Sequence, residues 1–345
     1  MRYGNNSTHQ VISGMAFNYV RHHFPEVFNR SFSPIPNYLR RSNMPTNNSW
    51  RTARAAFVIY SCWPDTPDSG ERYPHIGAFG VGAWSNTSHF YRPSNGLNYF
   101  RDHQRPGINA RERTGFYFDL AVQAYNANNH RQAFYYLGAS SHFLTDLAAP
   151  VHTGDQIGST ASTWSPSNPL LWLNVAEMAG IHVSFEDQVR NHVLLPFVNS
   201  HNGNIPVGVN FGGQTISRRS LSNLHPFDLA REVALISYEE YPNVWFNNAN
   251  HTLAERIRIG NKTLPIAVNA NVILLLRFME EVGYPTALGT PGLVFSGTTV
   301  TGFITPPNFN GVVNISYGVT AIGAGAFQDN NFVADISLPS TVGRV

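Results

Sequence analysis

His142, Asp146, His152, His182 and Glu186 have the types and the spacing to hold a divalent metal ion. His142 and Asp146 stand four apart, which puts both on one face of a helix. Pro150 ends that helix, and His152 follows directly after the break. Thirty residues further on, His182 and Glu186 repeat the four-residue step. The donors are imidazole nitrogen and carboxylate oxygen with no sulfur, a set that suits a hydrolytic zinc better than a structural zinc clip. The chain carries 14 histidines, but these pairs lie among apolar neighbours such as Phe143, Leu144, Val183 and Phe185 rather than in polar loops. Zinc held in this way lowers the pKa of a bound water, which is the chemistry of hydrolysis.

Helices must carry these ligands. Apolar residues recur at helical spacing over Val11 to Arg21, Arg111 to Asn126, His130 to Leu147, Leu171 to Asn191, His225 to Glu240 and Pro265 to Val282. Polar, Gly- and Pro-rich connections run between them, notably over 64–100 and 192–222. Ligands supplied from several walls of a cleft predict a mostly α bundle through residue 285. The apolar stretch 66–88, with Phe79, Val81 and Trp84, is expected to pack over the site entrance, with contact to a membrane surface as the alternative.

Composition narrows the function. With 345 residues the chain can bury a sizeable core and hold one large domain plus something smaller. A formal charge of +2 with 13% charged residues gives no nucleic-acid surface held by charge, so a nucleic-acid partner is not expected. Lys262 is the only lysine among 23 basic residues, and an arginine-rich balance fits phosphate or carboxylate recognition. Cys62 is the sole cysteine, so no disulfide forms within the chain. A zinc-braced helical domain needs none. Residues 1–20 show no basic region followed by a pure apolar run, so they are not expected to act as a signal peptide. The apolar segment from Ala267 to Phe278 is interrupted by Asn269, Asn271 and Arg277 and is too short to span a bilayer, so no transmembrane segment is expected.

These motifs resemble the zinc-dependent phospholipases C, the group that contains bacterial phosphatidylcholine enzymes and clostridial alpha toxin. That family carries a His-aromatic-x-x-Asp-x-x-x-Pro-x-His run followed by a His-x-x-x-Glu pair, which His142, Phe143, Asp146, Pro150, His152, His182 and Glu186 match. Further family signatures lie upstream in the expected order: Thr8 with His9, Pro64 with Asp65, and His89 with Phe90 and Tyr91. The resemblance implies a zinc phospholipase C or P1 nuclease-like helical bundle with up to three zinc ions. Asp65, His89, His142 and Asp146 would hold the first. His152, His182 and Glu186 would hold the second. His9 and Asp146 would hold the third, together with the amino and carbonyl groups of the mature N-terminal residue. Asp146 would bridge two ions, and Asp65 is the candidate general base. His75 lies in the same gap as His89; the Phe90, Tyr91, Arg92 and Pro93 that follow favour His89. The chain departs from the family pattern in opening on Met1 and Arg2, with Tyr3 as a candidate processed start. It also carries Arg92 after the His-Phe-Tyr segment, and the stretch before His182 is expanded and includes Trp164 and Trp172.

The activity implied is a secreted or cell-surface phospholipase C, cutting a glycerophospholipid at a membrane surface to diacylglycerol and a phosphorylated headgroup. Glycosylphosphatidylinositol-specific phospholipases D and S1/P1 nucleases have a related zinc site, and the opening from Tyr3 to His9 is similar to the phospholipase D start. Both use Asp where this chain has Glu186, and no base-stacking aromatics can be placed for a nuclease. A surface adhesin with a structural metal site is the third reading; the complete set of eight ligand positions argues against it.

From Gly283 the composition turns to Gly, Thr, Val and Pro. Residues 1–285 read as the catalytic domain, 286–300 as a linker and 301–345 as repeats. Val313 to Ile322 aligns with Ile336 to Val345 at a period of 23 residues, with Gly323 to Phe327 between. The pattern resembles BspA-type leucine-rich repeats, each giving a short strand and a turn, too few here to bury a core alone. The last unit is incomplete, which predicts a longer array able to bind a protein or surface ligand. A β-rich tail folding back on the helical domain is the alternative.

Overall fold

The computed structural model describes residues 8–23, 25–32, 52–65, 87–94, 96, 109–153, 182–200, 225–241, 244, 252–283, 293–296, 299–305, 311–315, 319–338 and 342. The fold is mostly α, as expected. Its helices are α1 (Thr8–His23), α2 (Pro25–Phe28), α3 (Ala53–Tyr60), α4 (Ala110–Asn126), α5 (His130–Leu147), α6 (182–200), α7 (Pro226–Tyr238) and α8 (Leu253–Glu281). Contacts divide the chain into two units: α1 to α7 with the first part of α8, and the end of α8 from Ile273 with the strands.

α5 is the centre of the first unit. Every residue from Leu137 to Leu147 is buried, polar ones included. A helix buried on all sides must satisfy its polar groups from its neighbours. Ser140 Oγ donates to the Thr114 carbonyl of α4 at 2.7 Å, and Ser141 Oγ meets Ser13 Oγ of α1 at 2.8 Å. Thr145 Oγ1 accepts from Asn271 Nδ2 of α8 at 2.9 Å. The α4–α5 connection turns through Asn128, at φ 60°, and Asn129 caps α5 by accepting from the Gln132 amide. α3 lies against α5 at Gly138, where an added Cβ would stand 2.4 Å from the Phe57 carbonyl oxygen. Only glycine permits that approach, and α3 leads directly into the 3-10 turn Trp63–Asp65.

Two helices differ from the sequence reading. α6 includes the π turn Arg190–Leu194 and continues as Leu195–Ser200, past the expected end at Asn191; the expected portion 171–181 lies outside the described residues. α8 begins at Leu253 rather than Pro265 and runs through that proline. Pro265 cannot donate to the Asn261 carbonyl, yet Leu264 and Ile266 on either side are buried, and their packing outweighs the local defect. At 29 residues α8 is long and apolar enough to cross a membrane, which corrects the length read from sequence; its apolar window is 78% buried, as in a core helix.

The second unit is a small β structure. β1 (Leu293–Ser296) pairs antiparallel with β2 (Thr299–Phe303), and β2 pairs parallel with β4 (Ala321–Ile322). β3 (Val312–Asn314) pairs parallel with β5 (Asp335–Ser337) in the register Val313↔Ile336. Partners in that ladder differ by 23 residues, the period of the sequence repeat. Val300, Val313, Ile315, Val319 and Ala326 form a core of its own.

Candidate metal centre

The eight residues singled out in the sequence come together in the first unit. His9 lies in the first turn of α1, and Asp65 ends the turn after α3. His89 ends the 3-10 turn Thr87–His89 ahead of α4. His142 and Asp146 sit on α5, and His152 ends the turn Pro150–His152 that breaks it. His182 and Glu186 lie on α6. His75, Tyr3, Trp164, Trp172 and the connection 66–86 lie outside the described residues.

Three trios bring donor atoms within 4.8 Å of one another: His9, His142 and Asp146; Asp65, His89 and His142; His152, His182 and Glu186. The last is the set expected for the second zinc. The first two share His142, which the sequence reading gave to one ion only. Asp146 lies between all of them. Its Oδ2 is 2.8 Å from His89 Nδ1 and 3.2 Å from His142 Nε2. Its Oδ1 is 3.3 Å from His9 Nε2 and 3.7 Å from His152 Nε2. In the third trio, Glu186 Oε1 lies 3.1 Å from both His152 Nε2 and His182 Nε2.

Backbone carbonyls fix how two of the rings present themselves. His142 Nδ1–H donates to the Ser61 carbonyl at 2.7 Å, and His152 Nδ1–H donates to the His89 carbonyl at 3.0 Å. Each leaves Nε2 facing the cluster as a lone-pair donor. These carbonyls have no signature in the sequence, because each depends on a contact 81 or 63 residues away. Phe90 stacks on His152 with ring centroids 4.8 Å apart, so the residue after His89 also steadies the third trio.

The donor set fits zinc. Buried polar atoms almost always find partners, yet among the described residues His9 Nε2, His89 Nε2, Asp65 Oδ2 and Asp146 Oδ1 have no hydrogen-bond partner. His9 Nε2 and Asp146 Oδ1 approach to 3.3 Å without hydrogen-bond geometry. One class of group, a divalent cation taking nitrogen and oxygen ligands, satisfies such atoms together.

The electrostatics match. Burial alone would raise the Asp146 carboxyl, but His142, His152 and His9 around it hold it well below the usual carboxylate range. Burial likewise opposes charge on His142, and Asp146 and Asp65 overcome it, raising the imidazole to about 9. His152 is raised against burial by Asp146 and Glu186, and Glu186 is lowered against burial by His182 and His152. At His89 burial wins, and the ring is pushed down.

A mostly helical bundle encloses a buried cluster of imidazoles and carboxylates, a donor set that suits a hydrolytic zinc site. The fold is similar to that of the alpha toxin from Clostridium absonum, with a TM-score of 0.51 at 16% identity over 81% of this chain and 67% of that one. Over residues 27–205 the chain matches the family described as zinc dependent phospholipase C. The chain belongs to the zinc-dependent phospholipase C family. Asp65, His89, His142, Asp146, His152, His182 and Glu186 lie inside that span, and His9 lies ahead of it. Two Bacillus cereus proteins named phospholipase C are each 40% identical to it over 68 residues, 20% of this chain. That match spans 23% of the length of those relatives.

Proposed function

We propose that this protein hydrolyses the phosphodiester bond of a glycerophospholipid in the manner of a phospholipase C, releasing diacylglycerol and a phosphorylated headgroup. The observation that carries the reading is the Asp146 carboxylate, buried among four imidazoles with one oxygen toward each flank of the cluster. Asp65, His89, His142 and Asp146 hold one zinc ion, and His152, His182 and Glu186 a second. His9 and Asp146, with His142 beside them, hold a third. Asp146 would serve two of these ions, since one oxygen faces His89 and His142 and the other faces His9 and His152. Zinc in these positions supplies Lewis-acid neutralisation of the phosphate oxygens and a water of lowered pKa.

Asp65 is the general base. Its side chain is 18% exposed whereas that of Asp146 is 1% exposed, which makes Asp65 the more open of the two carboxylates. Asp65 Oδ2 has no hydrogen-bond partner among the described residues, which leaves it as the candidate acceptor. A small apolar hollow lined by Ile12, Phe185, Val189 and Leu264 adjoins His9, Asp146 and Glu186. Action at a membrane surface outside the cell belongs to the same proposal. So does a leucine-rich-repeat tail over 301–345, after a catalytic domain 1–285 and a linker 286–300, that binds a protein or surface ligand; the 23-residue ladder supports it.

The test presents phosphatidylcholine, a glycosylphosphatidylinositol and single-stranded DNA side by side to zinc-loaded protein. Diacylglycerol release, lost in Asp65→Asn, is expected. Phosphatidic acid or nucleotide products would move the substrate to the related phosphodiesterases, and no turnover on any of them would overturn the reading.

A further inference from the structure

We propose that Arg256 is a positioning residue for the trio His152, His182 and Glu186, fixing the rotation of α6 about its own axis. The inference rests on the reading of that trio as zinc ligands. Arg256 lies on α8 and is 7% exposed. Its Nη1 donates to Ser184 Oγ at 2.5 Å and to Gln188 Oε1 at 3.0 Å. Ser184 and Gln188 are one turn apart on a single face of α6, each two residues beyond a zinc donor. At about 100° per residue that face is turned about 200° from the one carrying His182 and Glu186. The guanidinium therefore grips the back of the helix whose front holds the donors.

One turn further along α8, Gly260 brings the two helices close. A Cβ there would stand 2.8 Å from Val189 Cγ1 and 3.2 Å from Val193 Cγ2. Apolar contact of this kind sets the spacing of two helices but resists rotation weakly. Forked hydrogen bonds to two residues one turn apart resist it strongly. The lever is steep: with side chains reaching about 6 Å from the axis, a rotation of about 20° moves a donor by about 2 Å, a whole zinc–ligand bond length. Stability alone gives Arg256 no reason to be there. Its recorded partners are neutral oxygens, whereas Arg258, two residues on, takes the carboxylates Glu240 and Glu255. With no carboxylate partner among the described residues, a buried guanidinium is a poor stabiliser.

The experiment compares Arg256→Met, Arg256→Lys and Gln188→Leu with Arg258→Met in the full chain. Zinc affinity is read by chelator competition and the donor geometry by the visible spectrum of the cobalt-substituted protein. Arg256→Met and Gln188→Leu are expected to weaken one zinc about 10- to 100-fold and to change the cobalt spectrum, with turnover restored by excess zinc. Arg256→Lys should recover part of the affinity. Arg258→Met should lower the melting temperature and leave every zinc affinity unchanged. Wild-type zinc affinities and cobalt spectrum in both Arg256→Met and Gln188→Leu would overturn the assignment to Arg256 alone. A wild-type chain that binds no zinc would overturn the ligand reading and this inference with it.

Discussion

Replacing Gly138 with alanine tests how the packing of α3 on α5 sustains the metal centre. The new Cβ would stand 2.4 Å from the Phe57 carbonyl oxygen and 3.0 Å from Tyr60 Cβ. Both belong to α3, and the closer atom is backbone, so no side-chain rotation relieves the overlap. The helices must separate by about 0.6 Å to reach even a 3.0 Å contact. Overpacking of this kind costs about 3 kcal/mol at the upper end. The better helix propensity of alanine returns about 1 kcal/mol, leaving a net loss of about 2 kcal/mol. For a chain of this size that lowers the melting temperature by about 3 °C. The displacement also reaches the site. The Phe57 carbonyl accepts the Ser61 amide at 3.1 Å, and the Ser61 carbonyl in turn holds His142 Nδ1. Gly138→Ala should therefore weaken zinc binding as well as fold stability, measured by calorimetry and by chelator competition on the same sample. A variant that melts and binds zinc as the parent does would refute both the close approach and its link to His142.

Zinc affinity should rise with pH over the window that His142 sets. In the metal-free chain its pKa is raised from 6.5 to about 9, so the stability it contributes with Asp146 is full below pH 6.5 and lost as pH rises through about 9. Zinc requires the neutral ring, so calorimetric titrations should show tighter binding across that same interval; affinity that is flat with pH would contradict the pairing. Asp146 and Glu186 have lowered pKa values; their contribution is present above the ordinary carboxylate range and lost only as pH falls far below it, which acid unfolding of the metal-free chain should show. Glu186→Gln should weaken the zinc of its trio by about 100-fold or more and leave the others in place, counted by elemental analysis. Val313→Asp puts a charge in the core of the β unit, where Val313 is fully buried. It should cost several kcal/mol and open residues 301–345 to protease without altering zinc content.

The grouping of the candidate donors was legible in part because some of its geometry is local. His142 and Asp146, and His182 and Glu186, meet through the pitch of one helix, and Pro150 sets the turn that brings in His152. What joins these segments is not local and leaves no pattern. The Ser61 carbonyl reaches His142 across 81 residues and Arg256 reaches Ser184 across 72. α3 escaped notice because eight residues give too short a window for periodicity, and its place is fixed by Gly138 far along the chain. Pro265 misled for the opposite reason: its local signal to begin a helix is strong, and packing on both sides overrides it. His142 was given to one ion because sequence order assigns a residue one place, whereas a ring in a crowded core borders two groups at once.

The most direct measurement is diffraction from crystals of the zinc-loaded protein on either side of the zinc absorption edge. The account predicts anomalous peaks at about 2.0 to 2.2 Å from donor atoms of Asp65, His89 and His142, of His152, His182 and Glu186, and of His9 and Asp146, with Asp146 touching two of them. An absence of peaks among these residues in zinc-loaded crystals would contradict it.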